Sequence, residues 1–104
     1  LPSLASFIGY IIHRSHTRSS TVLGLLVFLQ RLQGSLRDTA KDMPGASHRI
    51  FLATLIVASK ALHDTSPKNK HWARYVKYFT LEDINSMERQ ILEILVYIIP
   101  HNEE

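Results

Sequence analysis

Residues 47–63 read SHRIFLATLIVASKALH, and this segment is apolar on every side when it is wound as an α-helix. At 3.6 residues per turn, the apolar side chains between Ile50 and Ala58 point in all directions. A helix without a polar stripe has to be enclosed by other elements, because a surface helix needs one polar face toward the solvent. Its small residues, such as Ala53 and Ala61, would let neighbouring helices approach closely. The segment therefore predicts a central helix that the rest of the chain surrounds.

Four amphipathic segments flank this central helix and supply the surrounding elements. Apolar residues recur three and four positions apart in them, and the prolines lie outside the periodic stretches. We predict helices over about 3–16, 20–36, 47–63 and 70–79, and a fifth from Thr80 to just before Pro100. Ser19 or Ser20 is the expected N-cap of the second helix, and residues 80–83 (TLED) resemble a capping box. The predicted fold is all-α, with five helices and an enclosed third helix.

The periodic positions also predict which side of each flanking helix is buried. In the first helix these positions are Leu4, Phe7, Ile8 and Ile11; in the second, Val22, Leu25, Leu26, Leu29, Leu32 and Leu36; in the fourth, Trp72, Tyr75, Val76 and Phe79. Gly9 and Gly24 fall inside helices, where a glycine costs about 1 kcal/mol against alanine. Each is either a tolerated surface residue or the point of a close helix crossing.

Length and composition exclude several classes of protein. The length of 104 residues suits one domain. The net charge of +3 falls short of the clustered basic surface that is typical of nucleic-acid-binding domains. The absence of cysteine excludes disulfides, thiol nucleophiles and zinc sites built on thiolates. The uncharged stretch 19–30 is shorter than the roughly 20 residues of a membrane-spanning helix, so we expect no membrane partner. Because the chain begins Leu1-Pro2, without an initiator methionine, we expect residues 1–104 to be one domain of a longer protein.

Few residues in the sequence suggest catalysis or metal binding. His13 and His16 stand three positions apart on the first helix and could share a metal ion, but no further ligands accompany them. We interpret both as surface or helix-end histidines. The sequence has no Gly-x-Ser-x-Gly elbow, P-loop or glycine-rich dinucleotide turn. We therefore expect no metal, no cofactor and no enzymatic activity.

Residues 68–74 (KNKHWAR) interleave basic side chains with an aromatic one. One interpretation is a nucleic-acid site in which Trp72 stacks on bases while the basic residues bind phosphates. The other is that Trp72 belongs to the buried side of the fourth helix and the basic residues to its solvent side. The helical period favours the second interpretation.

Two charged residues, Lys60 and Glu88, fall on apolar helix faces. Glu88 lies within the apolar arc of the fifth helix, and Lys60 continues the line of Ile56 and Val57 on the central helix. A buried charge is costly unless it is paired. Either both residues sit at a solvated rim, or they pair with each other or with a docked partner. The pattern alone leaves these alternatives open.

Several motifs together resemble the cyclin box. The central helix ends in Ala58-Ser59-Lys60, similar to the Ala-Ser-Lys of many cyclins, and Met87-Glu88 precedes an apolar run, as in the family's Met-Glu pattern. Residues 48–53 (HRIFLA), 66–73 (SPKNKHWA) and 10–15 (YIIHRS) resemble, more specifically, the Pcl-type fungal cyclins. Those cyclins partner the phosphate-system cyclin-dependent kinase of yeasts and moulds.

The resemblance implies a single cyclin box of the N-terminal type and a non-catalytic regulator of a cyclin-dependent protein kinase. In cyclins, the lysine and the glutamate that match Lys60 and Glu88 contact the regulatory helix of the kinase. The resemblance also implies a location in the nucleus and cytoplasm. Two alternatives use the same fold: a transcription-factor or nucleic-acid-binding module, and a scaffold that has lost its kinase.

The sequence departs from the family pattern at two places. The Met-Arg-Ala-Ile-Leu substrate-docking patch of cell-cycle cyclins is replaced by residues 4–8 (LASFI). Residues 96–99 (VYII) lack the Asp-Trp or Asp-Phe step that is common at the end of the fifth helix.

Overall fold

The computed structural model describes residues 1–41, 45–63 and 65–98, with the side chains of 34–41 and 97–98 excepted. Every regular element in these ranges is a helix. The elements in chain order are α1 (Leu4–Ser15), α2 (Ser19–Lys41), α3 (Ala46–Leu62), α4 (Asn69–Tyr75) and α5 (Leu81–Ile98). The all-α, five-helix prediction is confirmed. None of the described helices is both long enough and apolar enough to cross a membrane.

Helix α3 forms the centre of the molecule, as its all-round apolar sequence predicts. Every residue from Phe51 to Ser59 is buried. The helix packs against α1, α2 and α5, and the short α4 packs in turn on α1 and α5. The one polar side chain in the middle of α3, Thr54, donates its hydroxyl to the carbonyl oxygen of Ile50 at 2.6 Å, which satisfies the buried hydroxyl within the helix.

Two helix ends differ from the prediction. Helix α2 continues to Lys41 instead of ending at residue 36, because residues 37–41 (RDTAK) contain neither glycine nor proline to stop the helix. Helix α4 ends at Tyr75 instead of Phe79, and the backbone of its C-cap residue, Val76, is extended. Phe79 is nevertheless buried, as predicted. The predicted end of α5 before Pro100 lies outside the described residues.

The buried faces of α1 and α2 were predicted correctly only in part. Phe7 and Ile11 of α1 are buried, but Leu4 is exposed at the first turn. In α2 the buried line runs through Thr21, Leu25 and Leu32, and Leu26 is 56% exposed. Leu26 directly follows Leu25, and each residue of an α-helix is rotated by about 100° from the one before it. The side chain of Leu26 therefore points away from the core. A buried threonine occupies a position that the apolar pattern could not reveal.

A local sequence signal accounts for the start of α5. The N–H of Asp83 donates to Thr80 Oγ1 at 3.0 Å, and the N–H of Thr80 donates to Asp83 Oδ2 at 3.2 Å. This reciprocal pair confirms the predicted capping box at the start of α5. Helix α2 begins at Ser19, so Ser19 and Ser20 lie in its first turn, and the residue before the helix is Arg18 instead of the predicted serine cap.

The two mid-helix glycines have different roles. A Cβ on Gly24 would lie 2.7 Å from Leu62 Cδ1 and 3.9 Å from Ala58 Cβ, so α2 and α3 cross closely at this point. A Cβ on Gly9 would meet nothing within 4 Å. Gly24 is therefore a crossing glycine, and Gly9 is a tolerated surface residue.

Candidate functional site

The two charges that the sequence places on apolar faces form an ion pair with each other. Lys60 Nζ lies 2.9 Å from Glu88 Oε2 and donates to Oε1 at 3.0 Å. The pair joins the last turn of α3 to the middle of α5, two helices that pack directly together. The side chain of Lys60 is 38% exposed and that of Glu88 is 14% exposed. The pair therefore sits at the edge of the core, where solvent or a partner can reach the lysine.

Asn69, at the first residue of α4, completes the cluster. Its Nδ2 donates to Glu88 Oε1 at 2.8 Å and to Asn85 Oδ1 at 2.7 Å. Glu88 thus receives hydrogen bonds from an ammonium and from an amide, which offset the cost of holding a carboxylate that is largely removed from water. Asn69 Oδ1 is buried and has no hydrogen-bond partner in the part of the chain that the structure describes.

Sequence reasoning missed Asn69. In the sequence it stands within SPKNK, where an asparagine is typical of a turn, and Glu88 is 19 positions away. The one available signal was the resemblance of residues 66–73 to the Pcl-type cyclins, which gave no role to that residue.

The surface around the ion pair is apolar along α5. Ile84, Met87, Ile91 and Leu95 form the buried face of this helix. A second line, three to four residues apart, runs along Leu81, Asn85, Glu88, Leu92 and Val96. Its apolar members, Leu81, Leu92 and Val96, are all exposed. We call this line the outer α5 face; it carries Glu88 at its centre, with exposed hydrophobic side chains before and after it.

The chemistry of this cluster suits recognition of polypeptide backbone. An ammonium group has three N–H donors, and both observed contacts of Lys60 go to one carboxylate. A partner that presents backbone carbonyls, as the end of a helix does, could accept from the remaining donor. The exposed leucines and valine of the outer α5 face would bury apolar area in the same contact.

The other residues that the sequence analysis considered have structural positions. Trp72 is 1% exposed and belongs to the core, so the prediction of a buried tryptophan is confirmed and its ring is not free to stack on a base. His13 is exposed on α1. His16 ends that helix in a left-handed conformation, with φ of 54°. Among the described residues, no group of three or more His, Cys, Asp or Glu side chains could hold a metal ion.

The described structure combines an enclosed third helix with a lysine–glutamate pair that joins the third and fifth helices. The sequence matches the family "Cyclin, N-terminal domain" over residues 2–99, and the chain belongs to the cyclin family. Among curated proteins it is 45% identical to PHO85 cyclin-1 of Saccharomyces cerevisiae, over all of this chain and 38% of that protein.

Two other relatives from Saccharomyces cerevisiae have similar names. PHO85 cyclin-2 is 38% identical over 88% of this chain, and PHO85 cyclin-9 is 35% identical over 90% of it. The matched regions cover 30% and 31% of those two proteins. The chain therefore spans between 30% and 38% of the length of these three relatives. No solved structure gives a significant match. The resemblance to the Pcl-type cyclins is confirmed.

Proposed function

We propose that this chain is the kinase-binding domain of a cyclin that binds and activates a cyclin-dependent protein kinase. The observation that carries the proposal is the Lys60–Glu88 ion pair, held by Asn69 at the centre of the exposed outer α5 face. Membership in the cyclin family supports it. The relatives named as PHO85 cyclins support a partner of the type that Pcl-type cyclins bind.

The proposed contact places the regulatory helix of the kinase across the end of α3 and the outer α5 face. Lys60 donates to backbone carbonyls of that helix, and Glu88 orients the ammonium group or accepts a hydrogen bond from the kinase. Leu92 and Val96, both exposed in the free chain, become buried in the interface.

The proposed mechanism is positional. Docking moves the kinase helix inward, so that its glutamate pairs with the lysine of the ATP site and completes the active site. The cyclin contributes no reacting group, and we propose that it has no catalytic activity of its own. We further propose, from the family resemblance, that the protein acts in the nucleus and cytoplasm.

Reconstitution with a purified Pcl-type partner kinase tests the proposal. The 104-residue chain should bind the kinase and raise its phosphorylation of a peptide substrate, and Lys60→Ala should weaken both effects. Glu93→Ala provides the matched control, because Glu93 is an exposed carboxylate on the same helix outside the outer α5 face. Equal losses in the Lys60 and Glu93 variants, or no binding by the parent chain, would reject the proposal.

A further inference from the structure

Basic residues are concentrated in two parts of the sequence that contain no acidic residue. Residues 1–16 and 65–81 together hold five of the twelve basic residues and none of the nine acidic ones; the five are Arg14, Lys68, Lys70, Arg74 and Lys77. The rest of the chain has seven basic and nine acidic residues, so its formal net charge is −2. The positive net charge of the protein therefore comes from these two segments, which include α1 and α4.

The structure brings the two segments side by side. Arg14 Cζ, in the last turn of α1, lies 5.4 Å from the centre of the Tyr75 ring at the end of α4. Two turns earlier on α1, the ring of Phe7 packs on the ring of Tyr78, with 6.4 Å between the centroids. Tyr10 lies between these two contacts along α1 and is 50% exposed.

The solvent side of α4 carries cations. Asn69 directs its amide at Glu88 of α5, and Arg74 stands about 140° around the helix from Asn69. Lys70 and Arg74 are both exposed and, being four residues apart, are neighbours on the helix surface. We define the α1–α4 surface by the exposed basic and aromatic residues of this region, which are Tyr10, Arg14, Lys70, Arg74, Lys77 and Tyr78.

The four cations of this surface have no carboxylate partner among the described residues. None of them forms an ion pair there, and the recorded contact of Arg14 is with the face of the Tyr75 ring. The five N–H donors of the Arg14 guanidinium therefore remain available. Like charges four residues apart on a helix repel each other, as Lys70 and Arg74 do. A negatively charged partner would offset this repulsion.

We propose that the α1–α4 surface binds an acidic polypeptide segment, in which several Asp or Glu residues lie close together. The guanidinium groups of Arg14 and Arg74 can each bind a carboxylate through two parallel N–H donors. The rings of Tyr10 and Tyr78, 50% and 55% exposed, offer apolar area to the same segment. The surface shares no residue with the Lys60–Glu88–Asn69 cluster, and neither proposal depends on the other.

A nucleic acid fits this surface less well than an acidic peptide does. Affinity for nucleic acids grows with the number of phosphates that are neutralised, and the surface has four cations. A strand longer than the surface would extend over the remainder of the chain, whose net charge is −2. Trp72, which stands between Lys70 and Arg74 in the sequence, is 1% exposed and cannot stack on a base.

Fluorescence anisotropy with labelled probes and the 104-residue chain tests the proposal. The probes are an eight-residue peptide of alternating Asp and Glu, the same peptide with Asn and Gln, and an eight-nucleotide strand of thymidine nucleotides. We expect saturable binding of the acidic peptide that weakens as salt is raised, no binding of the neutral peptide, and weaker binding of the oligonucleotide. Absence of saturable binding of the acidic peptide, or tighter binding of the oligonucleotide, would overturn the proposal.

Matched charge variants distinguish this surface from general charge attraction. The double variant Lys70→Glu/Arg74→Glu should weaken binding of the acidic peptide by roughly tenfold or more, because each change replaces attraction by repulsion. The double variant Arg31→Glu/Arg89→Glu changes the net charge by the same amount. Both of these arginines are exposed and lie on α2 and α5, outside the surface. This control should weaken binding by less than roughly threefold, since distant charges are screened by salt.

Arg14→Gln tests whether α1 takes part in the surface. It should weaken binding of the acidic peptide by roughly threefold or more, because a bidentate partner for a carboxylate is lost. Parental affinity in Arg14→Gln, or equal losses in the two double variants, would contradict the proposal. Thermal melting checks that each variant is folded, and Lys70→Gln/Arg74→Gln replaces the charge reversal if that variant does not fold.

Discussion

Asn69 Nδ2 donates to Glu88 Oε1 at 2.8 Å and so joins the start of α4 to the ion pair between α3 and α5. Three helices therefore converge on one carboxylate. Glu88 is fixed from two sides, by an ammonium that a partner can reach and by an amide that packs behind it. In the free chain, the ammonium group of Lys60 is therefore directed at Glu88.

Asn69→Ala should lower both stability and kinase affinity. The loss of stability should be about 1–3 kcal/mol, because the variant removes a hydrogen bond to a charged group that is largely buried. Kinase affinity should fall as well, since Glu88 would no longer be held in place. Thermal unfolding and kinase titration measure the two effects. Asn85→Ala is the control: Asn85 is exposed and accepts from the same amide, so its loss should cost clearly less. Equal costs in both variants would show that Glu88 does not need Asn69.

Replacing Leu55 or Ile56 by alanine should cost roughly 2–5 kcal/mol of unfolding free energy, as large-to-small changes in a core do. Both side chains are fully buried in α3. Leu26→Ala is a matched control, because this leucine of α2 is more than half exposed and its loss creates no enclosed cavity. Chemical denaturation gives the three values. If the α3 variants unfold like the parent chain, the enclosed central helix is wrong.

His16→Gly should stabilise the chain, whereas His13→Gly should destabilise it. The N–H groups of His16 and Thr17 donate to the carbonyl oxygens of His13 and Ile12, which makes His16 the left-handed residue of a Schellman cap. A left-handed conformation costs a non-glycine residue roughly 1–2 kcal/mol, and glycine adopts it freely.

His13 lies inside α1, where a change to glycine costs helix stability instead. A gain or loss of about 1 kcal/mol should shift the melting temperature of a domain this size by roughly 4–8 °C. A lower melting temperature for His16→Gly would mean that the histidine side chain contributes more than its backbone conformation costs.

The sequence predicted those features that depend on one helix at a time. The all-round apolar pattern of residues 47–63 was enough to place α3 at the centre, and the period of α5 was enough to mark Glu88 as misplaced. The capping box at Thr80 was visible because its partners are three residues apart. Each of these signals is local, and each was confirmed.

Features that depend on two or more helices were not predictable. Thr21 lies on the buried side of α2, and its hydroxyl is hydrogen-bonded to His63 at the end of α3. A periodic pattern of apolar residues cannot indicate such a polar contact between two helices. Asn69 acquires its role only when α4 and α5 are packed together. Whether Lys60 and Glu88 pair with each other likewise depended on the distance between two helices, and the structure shows that they form an ion pair.

The most direct test of the account compares stability with kinase affinity for Lys60→Ala and Glu88→Ala. Lys60 is partly exposed and Glu88 keeps its hydrogen bond from Asn69, so Lys60→Ala should cost the free chain about 1 kcal/mol. Glu88→Ala also removes the hydrogen bond from Asn69 and should cost about 1–3 kcal/mol, like Asn69→Ala. In the complex, the same truncations leave polar groups of the kinase helix unpaired, which should cost about 2–5 kcal/mol and appear mainly as faster dissociation. Lys60→Glu should be worse than Lys60→Ala, since it adds repulsion to Glu88.

Melting temperature and kinase dissociation rate, measured on the same protein preparations, decide the question. The account predicts a melting temperature lowered by at most roughly 4–8 °C for Lys60→Ala and by more for Glu88→Ala, each with dissociation that is faster by roughly an order of magnitude or more. Large losses of melting temperature with parental dissociation rates would contradict it, because Lys60 and Glu88 would then form an internal structural bridge without a role in binding the kinase.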